Sequence, residues 1–190
     1  MLYHRPKANL YFVQDIAAWE YILERHTLSK YPASRMILVW PSMAFLIMSG
    51  RNIELVRSTV PGFSNATHMF IPINNTADAL QAENGSHWSL LIVSTLDKSA
   101  FHYDSLEDTN NYLARHATKQ LSKLLGKSWK YADLKSPQQK DPNDSGVFVC
   151  MFMRHLLGRL LSPNKKIDME MAGKRVDYRA GRKDIFETIR

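Results

Sequence analysis

The chain has 190 residues, 45% hydrophobic and 23% charged, the balance of a folded domain with a core and not of a disordered segment. No run approaches the roughly 18 apolar residues of a membrane span, and the opening MLYHRPKANLYF lacks the apolar core and cleavage site of a signal peptide. A formal charge of +7 favours acidic partners, yet no zinc-ligand cysteines, RNA-binding aromatic motif or basic heptads accompany it. The late cluster of Lys165, Lys166, Lys174, Arg175, Arg179, Arg182 and Lys183 therefore reads as a solvated basic face and not as a nucleic-acid site.

There is one cysteine, Cys150, so no internal disulfide can form. That points to a reducing compartment, cytoplasm or nucleus. With no repeat and no low-complexity tract, residues 1–190 read as a single domain.

In chain order, residues 13–25 place Val13, Ile16, Ala17, Tyr21 and Leu23 at helical spacing, with Pro32 after the helix end. Residues 36–48 are rich in Met, Ile, Leu and Phe, are broken by Pro41, and predict a buried helix or helix pair with Pro41 near a first turn. Pro61-Gly62 marks a turn, and the pattern then changes to strands at His68–Ile73, Trp88–Ser94 and Ala100–Tyr103, with Asp97-Lys98 turning between the last two. Thr109–Leu125 predicts a helix capped by Asp108 or Thr109, with Tyr112, Leu113, Leu121, Leu124 and Leu125 mostly on one side and Gly126 as its stop. Ser128–Leu134 is a further strand. A polar loop, KSPQQKDPND, leads to an apolar helix from about Gly146 to Leu161, and Asp184–Ile189 is a short terminal helix. The fold class is α+β: a small mixed sheet flanked by helices, with one helix buried centrally.

Three places could carry chemistry. His87 opens one strand and Asp104 closes the next, so in a hairpin both lie at the same end. A carboxylate there holds one imidazole tautomer and supports the imidazolium; alone, such a pair reads rather as a surface contact. Ser145 sits in Asp144-Ser145-Gly146 at the start of the apolar helix, near the positive end of its dipole and unpaired N–H groups. Locally it reads as an N-cap. Gln139, six positions earlier, carries an amide donor able to complete an oxyanion hole, or is simply a polar loop residue. Cys150 lies within Val147–Met153 inside the apolar helix and reads as core packing, not as a nucleophile. His4, His26, His68, His102, His116 and His155 show no metal-ligand spacing, and His102, two positions before Asp104, reads as structural.

Taken together, Gly85-Ser86-His87-Trp88-Ser89-Leu90-Leu91, then Phe101-His102-Tyr103-Asp104-Ser105, then Gln138-Gln139 and Asp144-Ser145-Gly146-Val147-Phe148-Val149-Cys150 resemble the ubiquitin-like-protein-specific cysteine proteases. These are the Ulp and sentrin/SUMO-specific and deneddylating peptidases, whose pattern is His-Trp, Asp-Ser, then Gln with Asp-Cys-Gly six residues later. The resemblance implies a papain-like cysteine protease core in which the buried helix follows the nucleophile. It makes His87 the general base, Asp104 its orienting acid, Gln139 an oxyanion donor and Trp88 a cover over the channel for the substrate's Gly-Gly tail. Near the N-terminus the family's Trp-Leu-Asn-Asp has Phe12-Val13-Gln14-Asp15 as its nearest match, which implies Phe12 as channel roof and Asp15 as a contact to the modifier's tail.

The nucleophile position departs from the pattern: it is Ser145. The implied protein cleaves after the C-terminal Gly-Gly of a ubiquitin-like modifier, the neddylation modifier first and SUMO second, with no cofactor or metal and no membrane or nucleic-acid partner. With serine in place of the thiol it is expected to bind substrate and turn it over hardly at all. Serine here is either a Cys→Ser change made to trap a complex or the residue of a silent relative that only binds; the intact remaining positions favour the first.

Overall fold

The run Trp88–Ser94 has no polar face, so as a strand it needs cover on both sides. In the computed structural model, which describes residues 13–50, 53–59, 62–76, 87–162 and 168–189, it is the central strand β3, buried at every position. Around it lie β1 (Met36–Leu38), β2 (His68–Asn74), β4 (Ser99–Tyr103) and β5 (Lys130–Leu134), in the spatial order β1-β2-β3-β4-β5. The sheet is mixed. β3 is antiparallel to both neighbours, pairing Phe70 with Ile92 and Leu90 with Tyr103. The outer pairs are parallel, Ile37 beside Met69 and His102 beside Asp133.

Among the described residues, six helices cover the two faces: α1 (Val13–His26), α2 (Pro41–Ser49), α3 (Ile53–Thr59), α4 (Asn111–Leu125), α5 (Ser145–Leu160) and α6 (Tyr178–Ile189). Alternation along the strands sorts their side chains between two cores. Leu90, Ile92 and Tyr103 meet Phe148, Phe152 and Leu156 of α5, with Trp19 of α1 and Ile185 of α6 behind them. Leu91, Val93 and Ala100 meet Ala114, Ala117 and Leu121 of α4 and Ala44 and Ile47 of α2. Through Met153, α5 is covered by the sheet, α1 and α6 and is apolar nearly all round, while Arg154, His155 and Gly158 farther along are exposed. The Trp19 indole N–H donates to the Cys150 carbonyl at 3.0 Å, tying α1 to α5. Glu20, on the same helix, is fully buried with neither carboxylate oxygen partnered. Burial, reinforced by Glu24, pushes its carboxyl well above the usual range. None of the described helices is long and apolar enough to cross a membrane.

Four local readings differ from the sequence expectation. Met36–Leu38 is a strand, not the beginning of a helix. Proline disfavours helical geometry in the residue before it; Trp40 is accordingly extended at φ −53°, ψ 144°, and helix begins only at Pro41. Helix α4 starts at Asn111 with Asn110 in the cap position, because Asp108 is left-handed at φ 64° and cannot join it. Tyr112, expected on the apolar side of α4, is 78% exposed. Helix α6 begins six residues before Asp184, where the Asp177 carboxylate accepts from Ala180 N at 3.0 Å and caps it. Helix α3 was not anticipated from the sequence.

Ile92 is fully buried at the centre of the sheet against α5. Ile92→Ala is expected to lower the unfolding free energy by about 2–5 kcal/mol, through lost burial and a residual cavity. A urea titration read by circular dichroism checks this.

Candidate active site

Where β3 begins and β4 ends, His87 and Asp104 come together as the hairpin geometry requires. His87 Nε2 and Asp104 Oδ1 are 2.5 Å apart, and the residues are 2% and 5% exposed. The imidazole is framed through its backbone: His87 N donates to Asn75 Oδ1 at 3.0 Å, and His87 O accepts from Asn75 N at 3.2 Å. The second ring nitrogen, Nδ1, is buried without a hydrogen-bond partner. Asp104 thus occupies one nitrogen and leaves the other for a reacting group, the division of labour a general base needs.

Burial alone would raise the Asp104 carboxyl. It is outweighed by the His87 hydrogen bond, the backbone N–H of Leu106, the charge on His87 and the backbone N–H of Asn110, so the pKa lies below its ordinary value of 3.8. The two N–H donors stand at 3.0 Å and 2.9 Å. Asn110 holds both partners: its side-chain amide also donates to Ile73 O and, at 3.4 Å, to His87 O. The carboxylate is therefore ionised and fixed before any substrate arrives.

The loop that leads to Ser145 is fastened to this same end of the sheet. Ser136 Oγ and Gln138 Nε2 donate to Asp104 O at 2.7 Å and 2.9 Å. Gln139 N donates to Ser105 O at 2.8 Å, while Ser105 Oγ donates to Gln139 Oε1 at 2.7 Å. The serine thereby fixes which end of the Gln139 amide faces away. The NH2 end gives one hydrogen to Pro142 O at 3.3 Å and retains a second. A 3-10 turn over Pro142–Asp144, held by Asp141 Oδ1 accepting from Asn143 N, then delivers Ser145 as the first residue of α5, 5% exposed. Asp144 is buried in the cap position but does not cap through its side chain. Its Oδ1 accepts from Arg182 of α6, which also donates to Asn143 O at 3.1 Å.

Trp88 is 2% exposed, with its ring edge-on to Phe45 at 6.3 Å between centroids. Asp15 lies in the first turn of α1, partly exposed. Phe12 lies outside the described residues. Cys150 is fully buried, and burial pushes its thiol well above the ordinary range, so it is inert as a nucleophile. His102 is structural: Nδ1 meets Asp133 Oδ1 at 2.7 Å and Nε2 meets Ser89 Oγ at 2.9 Å, all across strands β3 to β5. This row copies the chemistry of a Ser-His-Asp triad, but Ser89 is 1% exposed and His102 fully buried, which closes it to substrate. Among the described residues no group of three or more His, Cys, Asp or Glu is placed to hold a metal ion.

Sequence reasoning missed Asn110, Ser105 and Arg182. The first had a readable signal, an Asn ahead of an amphipathic helix. Arg182 had been assigned to a solvated basic face; its side chain is 22% exposed and paired with a carboxylate that is 3% exposed. No local pattern marks a cation whose partner lies 38 positions away.

Two measurements follow from these contacts. Because the Asp104 pKa is lowered on folding, its stabilisation is complete above the unfolded carboxyl value and disappears as pH falls through the folded one. The stability advantage of the native chain over Asp104→Asn should shrink as pH falls from about 5 through the ordinary carboxyl value of 3.8 and below it, as read from urea midpoints. Arg182→Met should cost on the order of 3 kcal/mol, since it leaves the Asp144 carboxylate buried and unpaired, while the double change with Asp144→Asn should recover most of that loss in the same titration.

Residues 49–185, from the end of α2 into α6, match the Ulp1 protease family, C-terminal catalytic domain. NEDD8-specific protease 2 of Schizosaccharomyces pombe is 33% identical over 184 residues, 95% of this chain and 43% of that protein; the chain thus spans less than half of that relative's length. Among solved structures, the Xanthomonas campestris effector protein XopD bound to ubiquitin superposes with a TM-score of 0.73 at 19% identity, over 98% of this chain and 96% of that one. The C-terminal protease domain of Ulp1 in complex with SMT3, the yeast ortholog of SUMO, gives a TM-score of 0.65 at 20% identity, over 94% of this chain and 75% of that one. These two share the fold. The family match, and 33% identity to a NEDD8-specific protease along 95% of this chain, establish that this chain belongs to the Ulp1 family of cysteine peptidases.

Proposed function

We propose that this chain is the catalytic domain of a peptidase or isopeptidase that cleaves after the C-terminal Gly-Gly of a ubiquitin-like modifier, and that Ser145 leaves it able to bind the modifier but nearly unable to turn it over. The observation that carries the reading is the His87 ring: anchored by Asp104 through one nitrogen, buried and unpartnered at the other. With cysteine at position 145, His87 takes the thiol proton and the thiolate attacks the carbonyl carbon of the terminal glycine. The oxyanion is met by the Gln139 amide and by N–H groups at the start of α5. The amine leaves with the proton from His87, and water then hydrolyses the thioester, returning the thiol. Each step uses groups already fixed by Asp104, Asn110 and Ser105.

Serine interrupts the first step. An alcohol is a far weaker acid than a thiol of pKa about 8.5, and oxygen reaches less far toward the base than sulfur. Binding is untouched, because it depends on the tail channel and the outer surface. In this reading Trp88 walls the channel for the Gly-Gly tail, Phe12 roofs it, and Asp15 meets the tail; only glycine is thin enough to pass such a passage. The neddylation modifier is the substrate favoured here, supported by the 33% identity to a NEDD8-specific protease along 95% of the chain. SUMO is second. The serine itself favours one further reading, a binding module that holds the modifier without cleaving it.

Ser145→Cys separates these. The cysteine form is expected to cleave a fluorogenic NEDD8 C-terminal substrate faster than the SUMO and ubiquitin equivalents, with kcat/KM above that of the serine form by about 10³-fold or more. The serine form should bind NEDD8 without turnover. A cysteine form that binds the modifier yet cleaves none of the three substrates overturns the peptidase reading in favour of the binding module.

A further inference from the structure

A second concave site lies away from the His87–Asp104 pair. The later half of α5 and the segment Met171–Val176 flank a half-open surface pocket of about 480 Å³, inside the range of roughly 300–1,000 Å³ typical of small-molecule pockets. Its lining begins at Met151 and reaches Ser162. At about 1.5 Å of rise per residue, the helical part stands about 9–20 Å along the axis from Ser145.

The chemistry of the lining is one-sided. Arg154, His155, Arg159, Lys174 and Arg175 face the space, and no lining residue is acidic. Two of these cations are already engaged. Arg154 pairs with Asp184, and Arg159 donates to the carbonyls of Asp168 and Glu170 at 2.7 Å and 2.9 Å. Lys174 and Arg175 have no carboxylate partner among the described residues. His155 is exposed, and partial burial first, then the charges of Arg159 and Lys174, hold it below its ordinary pKa. The remaining wall is apolar, from Met151, Phe152, Met171 and Val176.

Gly158 also lines the space, within the regular part of α5. Glycine is disfavoured inside a helix, and a Cβ added here would meet nothing within 4 Å. No packing demand keeps the position small, so the helix forgoes a better residue at the point where the cavity needs room.

We propose that this cavity binds a small amphipathic anion, a phosphate or carboxylate carried on an apolar body. Its acidic group lies toward Lys174, Arg175 and His155, and its body lies against Met151, Met171 and Val176. The site is independent of the nucleophile, and occupancy needs no peptidase activity.

The test uses the full chain with phenyl phosphate, inorganic phosphate and benzyl alcohol as probes, read by calorimetry and by NMR titration of the His155 ring. Phenyl phosphate is expected to bind at least about tenfold more tightly than either other probe, since only it satisfies both the cations and the apolar wall. It should also raise the His155 pKa, since it brings negative charge into the positive cavity. Lys174→Glu with Arg175→Glu, changes at the surface, should weaken it about tenfold or more. Gly158→Leu, which fills the space while improving the helix, should abolish it; melting curves for both variants confirm that they fold. Binding of phenyl phosphate that survives either variant, equals that of inorganic phosphate, or leaves His155 unshifted overturns the proposal.

Discussion

A carboxylate deep in a protein ordinarily takes up a proton, and the Asp104 site is arranged so that it does not. Four interactions outweigh the burial: the His87 ring bond and charge, and the two backbone N–H groups of Leu106 and Asn110. The surrounding structure depends on that anion. It orients the imidazole. It also holds the first turn of α4 through Asn110, because this N–H at the helix start has no partner within the helix. The backbone carbonyl of the same residue anchors Ser136 and Gln138, and so sets the path of the loop that ends at Ser145. One residue thus joins a strand end, a helix start and the approach to the reacting position.

Helix α5 has a double duty that explains its composition. In the proposed role its first residue presents the reacting side chain, while the residues behind it hold the sheet, α1 and α6 together. Small and apolar residues follow Ser145 at once, with Gly146, Val147 and Phe148 all buried. The core is therefore built up to the edge of the site, and the position of residue 145 is as rigid as the packing behind it. Arg182 extends this rigidity to α6. By binding Asp144 and Asn143 it ties the terminal helix to the turn that precedes the nucleophile position.

The pieces of this architecture that reside in short runs were legible in the sequence. Trp88–Ser94 announces a strand covered on both sides, and the order of His87, Asp104, Gln139 and Ser145 carries the resemblance that the family match bears out. What could not be read locally depends on partners distant in the chain. Met36–Leu38 is as apolar as the helix after it, and becomes a strand because β2, more than 30 positions later, offers an edge for parallel pairing. Tyr112 occupies a helical position compatible with either face until the sheet decides which face is inward. Arg182 looks like one of many cations until Asp144 is placed beside it. Asn110 is the intermediate case: its capping position was readable, but its second contact, to the carbonyl of His87, was not.

Cys150 has a consequence that reaches beyond its inertness. The chain carries one thiol, and that thiol is sealed between the sheet, α1 and α5's own neighbours, with its carbonyl bonded to the Trp19 indole. A reagent in solution can reach it only when the α1–α5 interface parts. The rate of alkylation is therefore a clock for the opening of the core, counted at a single atom and free of background from any other sulfhydryl. In a Ser145→Cys variant, the two thiols would run on separate timescales: one set by the chemistry of the site, the other by how often the domain breathes.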